Sequence, residues 1–336
     1  MFFALRRDSP LLGELNDPSR VTTLPLRNSF DAPSARALAR LVRQNNIQIV
    51  HAHMARDYPL AAYAARTNPN ARFIVTRHVM FPLNRLHRLT LAKASRVIAV
   101  SHAVGSSLQT AGVAPIEKIS VVLNGIDVAK FARAKESFRR EEFLQRWSLP
   151  DETLLVGTVG ELTPLKGQEE ILRAARIVVD QSHNAYFIIA GTDHSPDGKN
   201  RLRLEQLISE LNLAEHARLV GWLDDSADFY SALDVFVSAS HTESFGLAIA
   251  EAMAAGAPVL ATATDGALEV ITEGETGFLV PVGDVPALAS NLLRLLTQPA
   301  ERNRISVAAQ KTAAERFDVE RMIDETEEIY KSAVKN

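Results

Sequence analysis

Residues 235–262 read VFVSASHTESFGLAIAEAMAAGAPVLAT, and their pattern decides the fold. Val235 to Ala239 is a short apolar, β-rich run of the kind that forms a buried parallel strand. Ser240-His241-Thr242-Glu243-Ser244 is a polar turn. Phe245 to Ala255 reads as a helix, closed by Gly256 just past its end with Pro258 beyond, and Val259-Leu260-Ala261 opens another strand. Strand, loop, helix and strand form one unit of a parallel sheet. The polar loop falls at the carboxyl end of a strand, where open α/β sheets bind ligands.

Two carboxylates mark this unit. Glu243 and Glu251 are eight residues apart, which on a helix is roughly 80° past two full turns. They therefore share a side at different heights. Between them, the amides of Phe245, Gly246 and Leu247 lie at the helix N-terminus, where unpaired N–H groups attract anions. Gly246 lets a phosphate come close. A Glu near a helix start is ordinarily only a match to the helix dipole. An anion cradle with a carboxylate on each side, however, suits a sugar nucleotide.

The surrounding residues add a family. Glu243-Ser244-Phe245-Gly246-Leu247, followed by Glu251-Ala252-Met253-Ala254-Ala255-Gly256-Ala257-Pro258-Val259, resembles the E-x7-E signature of family 4 retaining glycosyltransferases of the GT-B fold. The resemblance covers nearly the whole chain and is strongest from Gly157 to Asp284. It implies two Rossmann-like, doubly wound α/β domains facing across a cleft.

Upstream of this stretch, Leu154 to Gly160 is a buried strand, and Glu161 to Gly167 leads into a helix from Gln168 to Asp180. A Lys at such a loop can neutralise a diphosphate. The loop resembles the family's G-R-L-x-x-x-K-G, with Lys166 present and Glu161 where Arg is usual. Tyr186 to Gly191 is the next strand, and Gly191 fits close backbone approach at a ligand edge. Leu202 to Asn212 is helical. Arg218 to Trp222, with Gly221, resembles the strand whose end holds the nucleotide base. Gly266 to Glu269 resembles GG-x-x-E, with Asp265 in place of the first Gly. A strand at Gly277 to Pro281 precedes helices at Val285 to Thr297, Ala300 to Arg316 and Val319 to Val334.

The first part of the chain alternates in the same way. Strands read at Phe2–Leu5, Ile47–His53, Phe73–His78, Val97–Ser101 and Ile119–Val122, with helices at Ser34–Asn45, Tyr58–Arg66 and His102–Ala111, the last capped by Ser101. His78 ends its strand. Val75-Thr76-Arg77-His78, followed by Pro82, resembles the family segment whose His contacts the donor sugar. His51-Ala52-His53 matches a family HxH segment better than a metal site, which needs three or four ligands. Val122 to Asp127 resembles the interdomain PNGVD segment, with Leu123 in place of Pro. Leu83 to Lys93 reads as a surface helix with Leu83, Leu86, Leu89 and Thr90 on one face. Its alternative is an interfacial helix beside Val79-Met80-Phe81. Family members begin with a strand and a Gly-rich loop that nothing upstream of Phe2 matches. The resemblance thus implies a missing βα unit of about 30 to 40 residues and open strand edges.

The 336 residues suffice for two domains, expected at 1–134 and 135–317, with 318–336 packing back on the first. At 46% hydrophobic and 23% charged the composition is that of a soluble globular protein, and no run of 18 apolar residues could span a membrane. The absence of cysteine excludes disulfide and thiolate chemistry and fits a cytoplasmic protein. Up to Lys135, Lys and Arg outnumber Asp and Glu by 19 to 7, while the remainder has 33 acids to 18 bases. A basic first half suits an anionic membrane surface or an acidic acceptor, and no nucleic-acid motif accompanies it.

The resemblance then implies a hexosyltransferase acting on a UDP- or GDP-sugar and a lipid or saccharide acceptor, with no metal and no cofactor beyond the substrates. Lys166, Glu243 and His78 are its catalytic candidates. Gly191, Gly221, Ser244, Phe245, Gly246, Leu247 and Glu251 are its donor-binding candidates. The alternatives are a non-catalytic or impaired nucleotide-binding protein that needs a partner or self-association, and a GT-B epimerase or phosphorylase.

Overall fold

Every strand pairing among the described residues is parallel, as the alternation of strands and helices requires. The computed structural model describes the whole chain except Asn84, Ser182, His183, Asp224 and Asn336. It comprises two units, Met1–Leu123 with Ile323–Asn336, and Asn124–Met322.

In the first unit, β1 (Phe3–Leu5) pairs with β2 (Val21–Thr23). A separate four-stranded sheet contains β3 (Ile49–Ala52), β4 (Arg72–Arg77), β5 (Arg96–Ala99) and β6 (Ile119–Val121), in that order. No described strand pairing joins the two sheets, and β1 and β3 each have one strand neighbour. The helices are α1 (Ala32–Gln44), α2 (Tyr58–Arg66), α3 (Arg85–Leu91) and α4 (His102–Thr110). α2 is rich in Ala, so it lies close to the sheet and buries Tyr58, Ala61 and Ala64 in one core with Val75, Val97 and Val104. Ser101 caps α4 by accepting from the Val104 amide at 3.1 Å, as its position predicts.

The second unit begins with α5 (Val128–Ser137) and α6 (Arg140–Arg146). Then β7 (Leu154–Val159), α7 (Gln168–Val179), β8 (Ala185–Ala190), α8 (Lys199–Glu210), β9 (Ala217–Val220) and α9 (Ser226–Ala232) alternate. They are followed by β10 (Val235–Ser238), α10 (Leu247–Ala254), β11 (Val259–Thr262), α11 (Asp265–Val270) and β12 (Phe278–Val280). Helices α12 (Val285–Thr297), α13 (Pro299–Arg316) and α14 (Val319–Lys335) close the chain, and α14 continues into the first unit's share of residues. The six-stranded sheet runs β12-β11-β10-β7-β8-β9. The chain therefore starts at the middle, winds outward to β9, and returns to the other side of β7 at β10. The strand order therefore reverses between β7 and β10, the place where doubly wound sheets hold ligands at the carboxyl ends of their strands. β7, β8 and β10 are almost wholly buried, which is why they read as continuous apolar runs.

The structure corrects several boundaries. α10 starts at Leu247, two residues later than expected, because Gly246 has φ +95° and caps the helix from the left-handed region. α3 is shorter than Leu83–Lys93, and Asn84 lies outside the described residues. Leu89, expected on the packed face, is exposed, whereas Thr90 and Leu91 are buried. His53 and His78 lie just past their strands rather than within them. β2, α6 and α9 go beyond the expected elements because three-residue strands and seven-residue helices carry too little periodicity to read, and ten-residue α5 does so because it buries only Phe131.

Candidate active site

The crevice of the second unit is built by two loops that interlock. After β7 the chain turns at Glu161 and reaches Lys166. After β10 it runs from Ser240 to Glu243. Gly167, at φ +65°, fits so tightly under the second loop that a Cβ there would lie 2.0 Å from the Ala239 carbonyl oxygen. The His241 amide donates to the Leu165 carbonyl at 2.8 Å, and His241 Nε2 meets Glu170 Oε1 at 2.8 Å. Gln168 Nε2 holds the Glu161 carbonyl at 2.9 Å. Held this way, Lys166 Nζ donates to Glu243 Oε1 in a close ion pair, and Ser240 Oγ donates to the same oxygen at 3.1 Å. The structure therefore brings Lys166 and Glu243 together.

Phe245, Gly246 and Leu247 follow directly. No described protein group accepts a hydrogen bond from their amides, so these N–H groups remain available at the start of α10. The Phe245 side chain itself is buried edge-on against Phe317, at 5.6 Å between ring centroids, so its part in any donor contact is limited to the backbone. Leu247 is exposed and Ser244 half-buried in the loop. Gly266 was noted only for its resemblance to GG-x-x-E. Its amide donates to the Glu243 carbonyl at 3.0 Å, and a Cβ there would stand 2.7 Å from the Phe245 nitrogen. It thereby braces the loop from beneath.

Glu251 sits on the second turn of α10, half-buried, and accepts from the Tyr230 hydroxyl at 2.8 Å. Burial pushes its carboxyl up, against the opposing effects of Tyr230 and Lys130. Tyr230 belongs to no motif, and its pairing with Glu251 joins two different helices. The tight space at Gly191 is filled by protein, since a Cβ there would lie 1.8 Å from the Gly160 carbonyl oxygen. Gly191 and Gly221 nevertheless meet, the Gly191 amide lying 3.2 Å from the Gly221 carbonyl. Glu161, in the position where Arg was expected, is exposed and makes no ion pair among the described residues.

The first unit has its own polar cluster at the carboxyl ends of β3 and β4. His51 Nε2 shares a hydrogen bond with Thr76 Oγ1 at 2.8 Å, and His51 Nδ1 shares one with the Tyr330 hydroxyl at 2.5 Å. His53 Nδ1 and His78 Nε2 are 3.1 Å apart, and the ring of His51 lies 4.2 Å from that of His53. Burial, then the neighbouring His53 and His78, lowers His51 to about 3. Burial, then His53 and Arg77, lowers His78 to about 4. Burial alone lowers His53. Beside them, Arg77 is buried and donates to the Phe81 carbonyl, over a small pocket lined by Met80, Pro82, Val104 and Leu108. No group of three or more His, Asp or Glu among the described residues is placed to hold a metal ion.

Comparison with known proteins follows this geometry. The model of Glycosyl transferases group 1 matches residues 139–312, over half of the chain, and that of Glycosyltransferase Family 4 matches residues 1–130. The chain belongs to the group 1 glycosyltransferases. It is 26% identical over 312 residues to N-acetyl-alpha-D-glucosaminyl L-malate synthase of Bacillus anthracis, covering 90% of this chain and 79% of that protein. The crystal structure of a glycosyltransferase from Rickettsia africae ESF-5 superposes with a TM-score of 0.89 at 23% identity, over 99% of this chain and 90% of that one. Anabaena Alr3699/HepE in complex with UDP and glucose gives 0.85 at 23% identity, over 98% and 91%. These likenesses establish the α/β GT-B fold of this glycosyltransferase. Against two further curated relatives, the match spans 66% and 53% of their length.

The histidine cluster sets a pH dependence. Histidines of the unfolded chain take up protons as the pH falls through about 6.5, whereas folded His51 stays neutral to about 3 and His78 to about 4. Their contribution to stability is present above about pH 6.5 and is lost progressively below it. Thermal melts between pH 8 and pH 4 should show this decline, and the His51→Gln variant should show a shallower one. An unchanged slope in the variant would remove the cluster as its source.

Proposed function

We propose that the chain is a retaining glycosyltransferase that moves a sugar from a UDP- or GDP-sugar to a lipid or saccharide acceptor. The observation that carries this reading is the Lys166–Glu243 pair at the strand reversal, next to three unused amides at the start of α10. A diphosphate seated on those amides draws Lys166 away from Glu243 and meets its positive charge. Glu243, released, orients the sugar hydroxyls, and Glu251 takes the ribose. The bond from the anomeric carbon to phosphate oxygen breaks. The acceptor oxygen forms its new bond on the same face, and the acceptor proton passes to the departing diphosphate. Lys166 and the amides stabilise the charge that develops there, an electrostatic role that needs no metal. His78, in the first unit, contacts the donor sugar by hydrogen bonding in this reading. The complex of HepE with UDP and glucose supports a uridine nucleotide as donor.

The acceptor side of this reading rests on the first unit. Phe81 and Leu89 are exposed near the basic Arg85 and Arg88, a combination suited to the interface of an anionic membrane on its cytoplasmic side. No described helix is long and apolar enough to cross a membrane. Glu161 favours a second reading, a nucleotide-binding protein of low turnover that works with a partner, because a carboxylate cannot supply the phosphate contact of an Arg.

Three measurements test the proposal. UDP or GDP at a hundredfold excess over Kd should stabilise the protein by about 2.7 kcal/mol. No shift of Tm by either nucleotide at millimolar concentration defeats the donor site. Replacing Lys166 by Ala should cut kcat about a hundredfold, equivalent to roughly 3 kcal/mol, with little change in Tm. Turnover equal to wild type would refute its role. Activity should persist in EDTA, and a loss reversed by magnesium or manganese would overturn the metal-free mechanism.

A further inference from the structure

Tyr230 lies wholly inside the second unit. Its ring packs edge-on against Phe131, Phe229 and Phe236, with centroids 5.9, 6.1 and 5.5 Å away. For packing alone a Phe would serve, and it would avoid burying a hydroxyl. The hydroxyl is used, however: it donates to Glu251 Oε2 at 2.8 Å. This is the only hydrogen bond of the Glu251 side chain among the described residues, and Oε1 is neither bonded nor sealed from solvent. The charged group facing Glu251 is Lys130 of α5, which is itself paired with Asp225 at 3.3 Å. One carboxylate oxygen is thus tied down from within, and the other is presented outward.

We infer that Tyr230 is a positioning residue: by holding Oε2 it aims Oε1 of Glu251 at the ribose hydroxyls of the donor and sets the preference for ribonucleotides over deoxyribonucleotides. The inference rests on the assignment of Glu251 to the ribose made above. Its physical basis is twofold. A carboxylate with one oxygen fixed loses little rotamer freedom when a ligand hydroxyl binds the other. The Tyr230 bond and Lys130 also favour the charged form against the burial that opposes it, so Glu251 accepts from a hydroxyl as an anion.

The test measures binding of UDP, GDP and their 2′-deoxy forms to wild type, Tyr230→Phe, Glu251→Ala and the double variant. Wild type should prefer the ribo form. Tyr230→Phe should weaken the ribo form about tenfold, the worth of a hydrogen bond to a charged group, and leave the deoxy form within about twofold. In the Glu251→Ala background the same change should have no further effect on the ratio. The ribo preference of Tyr230→Phe should also fade at a higher pH than that of wild type, because Glu251 loses a bond that favours its anion. If Tyr230→Phe weakens both forms alike, or keeps the wild-type ratio, the residue is only structural and the inference is overturned. A wild type that binds both forms equally overturns the ribose assignment instead. One that binds no nucleoside diphosphate overturns the donor site itself.

Discussion

Between β7 and β10 the strand order reverses, and the two loops that leave there can meet only if the backbone of one passes under the other. That contact fixes the site. Gly167 slides beneath Ala239 where no side chain would fit, and the Leu165 carbonyl receives the His241 amide. With the loops joined, Lys166 faces Glu243. The same reasoning explains the glycines farther along. Gly191 lies against the Gly160 carbonyl and Gly266 under Glu243 and Phe245, so backbone packs closely on backbone at these points. A sheet that carries its ligand at a reversal needs such loops, because the backbone amides that hold phosphate must come near it.

The ion pair at rest is a consequence of this geometry. Lys166 sits beside a carboxylate, and each satisfies the other. The pair is only partly buried, so its strength is moderated by water and salt. In the proposed reaction a diphosphate, with more charge than one carboxylate and with the 245–247 amides beside it, would compete for Lys166. The exchange would free Glu243 at the moment a sugar arrives. Ser240, which donates to the same Glu243 oxygen, is a second tie on that carboxylate.

Much of this was legible in the chain, for physical reasons. Fully buried parallel strands are continuous apolar runs, and loops at their carboxyl ends must be polar, so β7, β8, β10 and β11 and the positions of Lys166 and Glu243 could be read directly. What could not be read depends on dihedral angles or on long-range contact. The start of α10 is set by the positive φ of Gly246, which periodicity does not reveal. Leu89 belongs to a helical pattern and is nonetheless exposed, because α3 is anchored by Thr90 and Leu91 instead. Tyr230 pairs with Glu251 across a fold that brings α9 against α10. His51 and Tyr330 are 279 residues apart in sequence, and no local pattern joins them.

The histidines narrow the chemistry further. With His51 near 3 and His78 near 4, both are neutral at ordinary pH, and the lowered His53 shares that tendency. A neutral imidazole in a sugar site can donate to one hydroxyl and accept from another, and it brings no net charge. It is also a poor proton donor to a leaving phosphate, since a folded pKa near 4 leaves it almost wholly unprotonated. At the strand reversal the positive potential is that of Lys166 and the α10 amides, all within the second unit. His53 and His78 share a hydrogen bond, which commits one ring nitrogen of His78. The first unit's cluster thus offers neutral hydrogen-bonding groups, and the second unit's loops a positive potential beside a carboxylate.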